Sequence, residues 1–88
     1  MDEKEFSDWC KKEVRDYTNK HLDKTGKKEI SADDVFIVWS CKTLQHNKAV
    51  LYTTLFDGMY YACTYDGEWG KMYVDVFKQV ENYTVKNT

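Results

Sequence analysis

The 88-residue chain contains no proline and only four glycines. Without proline, an edge strand loses one of the devices that keep it from pairing with a neighbour, so edge pairing is an expectation the sequence itself carries. The three cysteines, Cys10, Cys41 and Cys63, are odd in number and widely spaced. That does not fit the framework of a small disulfide-stapled domain and points to a reducing compartment. No apolar run approaches bilayer-spanning length, and the opening residues Asp2, Glu3, Lys4 and Glu5 contain no apolar signal-like core. The expectation is a cytoplasmic protein with no membrane partner.

An excess of one charge is also missing. Thirteen Lys and Arg stand against fifteen Asp and Glu, a net charge of −2. Bulk attraction to nucleic acid is therefore not implied, nor is an acidic substrate. Residues 1–30 carry eight charges of each sign, and residues 31–88 carry five positive and seven negative. At this length there is room for one core, so residues 1–88 are expected to form a single domain.

What is present is a change of period. From Asp2 to about Lys24, the residues Phe6, Trp9, Cys10, Val14, Tyr17 and His21 or Leu22 recur at steps of three and four among charged residues, which predicts an amphipathic helix. Asp2 followed by Glu5 suits its start, and Gly26 its end. Ser31 to Asp34 can cap a short turn that β-favouring residues end at once. Val35–Leu44 then reads as a strand, Gln45–Asn47 as a turn and Ala49–Leu55 as a second strand. Asp57-Gly58 marks a hairpin, and Met59–Tyr65 is the third strand. Asp66-Gly67 and Gly70 mark another turn, and a fourth strand starts near Lys71 with an end that the pattern leaves open after Phe77. The fold class is α+β: an N-terminal amphipathic helix on one face of a four-stranded antiparallel meander.

One helix can cover only one face of such a sheet. Strict alternation assigns Val35, Ile37, Trp39, Cys41, Leu51, Leu55, Met72 and Val74 to the helix side. It leaves Phe36, Val38, Val50, Tyr52, Tyr60 and Tyr73 opposite, with Phe77 if the strand continues. That face is aromatic: either Lys78 to Thr88 folds back over it, or its Tyr rings simply stand with their hydroxyls in water, or it is a contact surface. Lys42, Lys48 and Lys71 could frame it, which leaves a nucleotide or single-stranded nucleic acid as the alternative ligand.

Catalytic and metal chemistry find little support. Cys10 and His21 share a helical face but lie three turns apart, too far for one metal ion, and no C-x-x-C or H-x-x-x-H spacing occurs. Cys41 and His46 flank one turn as the sole thiol–imidazole pair, with Cys41 expected in the core and no third group to orient the imidazole. Asp33, Asp34, Asp57 and Asp66 have sufficient roles in turns. No catalytic residue, metal or cofactor is therefore assigned.

The stretch Val35-Phe-Ile-Val-Trp-Ser-Cys-Lys-Thr-Leu-Gln45, then Lys48-Ala-Val-Leu51, Asp57-Gly-Met-Tyr-Tyr61 and Thr64-Tyr-Asp-Gly67, resembles a family of small uncharacterised proteins of phages and prophages in Gram-positive bacteria. The resemblance spans most of the chain and brings no catalytic or binding residues with it. It implies expression in the cytoplasm of an infected bacterial cell, where small accessory proteins act by binding host or phage components, defence systems included. The expected function is a non-enzymatic binding protein whose partner is another protein or a second copy of itself.

Overall fold

A computed structural model describes residues 1–22, 28–55 and 57–87. Helix α1 spans Glu3–Lys20. It begins where Asp2, in extended conformation, turns its side chain back to accept from the Glu5 N–H at 2.8 Å, the bond that satisfies one of the helix's orphan donors. This contact also holds the Asp2 carboxyl below its ordinary range. Phe6, Cys10, Val14 and Thr18 are buried. Their spacing of four draws a single stripe along the helix.

The helix stops short of the expected Lys24. His21 caps it, with its N–H donating to the Tyr17 and Thr18 carbonyls, its Nδ1 2.8 Å from the Tyr17 carbonyl and its ring stacked on Tyr17 at 4.1 Å. The imidazole thus adds a second contact to a last-turn carbonyl that the His21 N–H already reaches. The expected Gly26 cap and Lys24 lie outside the described residues. No described helix is long and apolar enough to cross a membrane.

The chain returns at Ile30, whose backbone N–H and C=O are both held by the Asn19 side chain at 2.8 and 2.9 Å. A single 3-10 turn, Ala32–Asp34, leads into the sheet. Strands β1 (Val35–Thr43), β2 (His46–Thr53), β3 (Met59–Asp66) and β4 (Lys71–Lys78) follow in that spatial order, all antiparallel. The α+β meander expected from the period change is the observed fold.

Two details differ from strict alternation. The first hairpin turns through Leu44 and Gln45, not Gln45–Asn47, with Thr43 opposite His46. Leu44 adopts φ 56°, so a bulky residue fills a left-handed position normally marked by Gly or Asn. β2 therefore starts at His46 and ends at Thr53. The second difference is a bulge in β1: Ile37 pairs with Leu51, but Trp39 pairs with Val50, leaving Val38 as an extra residue. One inserted residue inverts the faces downstream of it.

The core lies between α1 and the near face of the sheet. Phe6, Cys10 and Val14 meet Val35, Ala49, Leu51, Tyr61 and Cys63, with Met72, Val74 and Val76 of β4 half-buried at the margin. The buried Tyr61 hydroxyl and the Thr18 hydroxyl are 3.2 Å apart, joining helix to sheet through a polar bond inside the core. Burial pushes the Tyr61 phenol up from its ordinary value. Cys10 Sγ lies 3.9 Å from Met72 Sδ, and the neighbouring Cys63 thiol, together with burial, pushes the Cys10 thiol strongly up.

Candidate functional site

The far face of the sheet is built from the residues whose side chains alternate away from α1. Cross-strand register aligns Phe36 with Tyr52 and Tyr60 with Phe77. The four rings form one row across all four strands, with centroid separations of 6.1, 5.8 and 4.8 Å and interplanar angles of 22°, 27° and 15°. Neighbouring strands lie near 4.8 Å apart, so rings standing upright on successive strands stack face against face. Each inner ring has both faces occupied by its neighbours. What the row presents outward is ring edges and the two tyrosine hydroxyls.

The next row holds Trp39, Val50, Ala62 and Asp75, and beyond it lie Cys41, Lys48, Thr64 and Tyr73. Trp39 and Cys41 were expected on the helix side. The bulge at Val38 moves both to the open face, where Trp39 is 51% exposed and Cys41 is exposed as well. A single-period reading had no signal for this, because V-F-I-V-W-S-C-K alternates acceptably in either phase. Phe36, Val38, Val50, Tyr52, Tyr60 and Tyr73 keep the open placement that alternation gives them, and Phe77 joins them because β4 continues to Lys78.

The lysines divide differently. Lys48 and Lys71 stand on the open face, opposite Cys41 and Asp66 respectively. The same bulge carries Lys42 to the helix side, where its Nζ donates to the Met1 carbonyl at 3.1 Å. Lys42 lines a small hollow of about 80 Å3 beside the start of α1, together with Ser7, Ser40 and the buried Asn47. The expected three-lysine frame is thereby reduced to two, and Asp66 and Asp75 lie on the same face.

At the polar corner, Cys41, His46 and Lys48 line a hollow of about 290 Å3 with Trp39 and Thr64. His46 Nδ1 is 3.6 Å from Asp66 Oδ1 and accepts from the Gly67 N–H at 3.2 Å. A carboxylate thus does stand beside the imidazole, contrary to the expectation that a third group was missing, and Cys41 is not a core residue. With Nδ1 accepting, the ring proton sits on Nε2, which then cannot take a proton from a thiol. Cys41 Sγ has its own hydrogen-bond contact with Thr43 Oγ1 at 3.7 Å. Among the described residues, no group of three or more His, Cys, Asp or Glu could hold a metal ion.

Among the described residues, the segment after Lys78 does not fold back over the open face. Residues 79–87 follow β4 without regular structure, and Val80, Tyr83 and Val85 are 98%, 77% and 79% exposed. Six large apolar side chains of the face, each about half exposed, amount to roughly 600 Å2 of apolar surface, at the upper end of what a monomer usually shows.

Fold and face together define a class: small α+β proteins in which one helix covers one side of a four-stranded meander and the other side is lined with rings. Within it, the chain belongs to the Family of unknown function (DUF6275), whose model matches residues 7–87. No curated protein and no solved structure matches it.

Proposed function

We propose that this is a non-enzymatic binding protein whose contact surface is the open face of the sheet, centred on the row Phe36, Tyr52, Tyr60 and Phe77. The observation that carries the reading is the row itself: apolar, contiguous across four strands and left uncovered by residues 79–87. A face of this size with aromatic anchors, a charged margin and two hydroxyls has the composition of the core of a protein–protein contact. The resemblance to small phage and prophage proteins supports a partner from the infected Gram-positive cell or from the phage, with host defence components among the candidates.

Ring orientation supports this reading over the nucleotide or single-stranded nucleic-acid alternative. Bases stack on ring faces, and here the inner rings turn their faces to each other. Lys48 and Lys71 are the cations on this face, offset by Asp66 and Asp75, which gives no groove of one sign for a phosphate backbone.

The test compares the native chain with a Tyr52→Glu/Tyr60→Glu variant as bait in lysate of a Gram-positive host, with and without nuclease treatment, read by mass spectrometry. A protein retained by the native chain and lost with the variant, while circular dichroism shows the fold unchanged, is the expected result. Identical recovery by both baits, or recovery of nuclease-sensitive material alone, overturns the assignment.

A further inference from the structure

The open face is not the sole unpaired surface, because a four-stranded meander also has two edges. They differ. β1 is broken by the bulge at Val38, a device that spoils an edge for pairing. β4 pairs with β3 over eight consecutive residues without a break, from Lys71 opposite Asp66 to Lys78 opposite Met59. Its outer edge is therefore a regular template, and no described residue pairs with it.

The direction of its free backbone groups follows from one bond. The Gln79 N–H donates to the Gly58 carbonyl at 2.7 Å, and the register places these two residues directly opposite each other. Hydrogen-bonded pairs recur every second residue in an antiparallel ladder. Lys71, Tyr73, Asp75 and Phe77 thus turn their backbone groups toward β3, while Met72, Val74 and Val76 turn theirs outward.

From this we infer that β4 pairs antiparallel with β4 of a second copy, about a twofold axis at Tyr73, to make a continuous eight-stranded sheet. The inference goes beyond the proposed binding role and does not depend on it. In this register Met72 and Val74 of one chain exchange backbone bonds with Val74 and Met72 of the other, which uses the outward groups. On the open face Lys71 comes opposite Asp75 of the second copy, twice by symmetry, and the two Tyr73 rings pack together. Neighbouring registers are worse: an axis at Asp75 sets two carboxylates against each other, and an axis at Val74 leaves Lys71 against Phe77. On the helix side, Met72, Val74 and Val76 are half-buried because α1 packs chiefly against β1, β2 and β3, and the partner strand would extend that apolar strip. The occupant is thus a second copy, because the edge is complementary to itself in charge and in backbone polarity.

Sedimentation equilibrium over a concentration series tests it with the full chain. The native protein is expected to dimerise, with Lys71→Asp and Asp75→Lys each weakening association at least about tenfold by placing like charges opposite. The double swap Lys71→Asp/Asp75→Lys restores the opposite-charge pair and is expected to recover native affinity within about threefold. Val74→Pro removes an outward N–H without touching the β3 ladder and is expected to leave a folded monomer. A native chain that stays monomeric at about 0.1 mM, or a dimer that both single charge variants leave intact, overturns the inference. Tyr52→Glu/Tyr60→Glu is expected to leave the dimer in place, so failure of the edge and failure of the aromatic face are separate results.

Discussion

Leu51 and Tyr52 are neighbours on β2 and occupy opposite sides of the same sheet. Leu51 is fully buried beneath α1, among Val14, Val35 and Tyr61. Tyr52 is 39% exposed on the other side, between Phe36 and Tyr60. The helix side gains its stability by sequestering irregular aliphatic, sulfur and aromatic groups under a cover. The open side has no cover, and its rings shield one another by stacking in a line. The difference shows that an aromatic row can take much of its own area out of water while leaving a flat ridge of edges for a partner.

Truncation on each side separates the two modes most strongly. Leu51→Ala is expected to cost about 3 kcal/mol, since removing a fully buried leucine loses transfer energy and leaves a cavity. Tyr52→Ala is expected to cost about 1 kcal/mol, the worth of two cross-strand ring contacts. Urea denaturation of both variants beside the native chain measures the gap, and equal losses would mean that the open face is as structural as the core.

A smaller effect sharpens the account of the covered side. Tyr61→Phe deletes the hydroxyl shared with Thr18 and is expected to cost about 1 kcal/mol by leaving the Thr18 hydroxyl buried alone. Its pH dependence has a definite sign. Burial raises the folded phenol above the ordinary tyrosine value of 10.0, so its stabilisation is intact below that value. As pH rises further, the unfolded chain ionises first and stability falls until the folded value is passed. The urea midpoint of the native chain is expected to drop between about pH 8 and pH 11 by more than that of Tyr61→Phe.

The smallest change lies at the turn that joins the two sides. Leu44 holds φ 56° and is 82% exposed, so it contributes strain and little packing. Leu44→Gly is expected to stabilise the chain by about 0.5 kcal/mol, read as a rise in melting temperature.

These elements also show how far the sequence could be read. The helix, the four strands and their order were legible because the apolar period changes from near four to two at Val35, and because Asp57-Gly58 and Asp66-Gly67 announce two of the three hairpins. The hairpin at Leu44 was placed one residue late at its start and two at its end because it is made without a turn residue. The open-face set of Phe36, Val38, Val50, Tyr52, Tyr60 and Tyr73 was legible, whereas Trp39, Cys41 and Lys42 were assigned to the wrong sides. A bulge is a tertiary choice: it places one extra residue opposite a partner strand, and no local preference at Val38 records it. The ring-to-ring stacking could not be read at all, because it depends on cross-strand register fixed by those same turns.

The three thiols divide along the same boundary. Cys41 lies at the surface, while Cys10 on α1 and Cys63 on β3 are both completely enclosed. A reagent that modifies thiols therefore meets one sulfur at the rate of diffusion and the other two only in molecules whose helix has lifted from the sheet. The chain carries in its sulfur atoms a kinetic record of its own opening, with Cys41 as the internal reference.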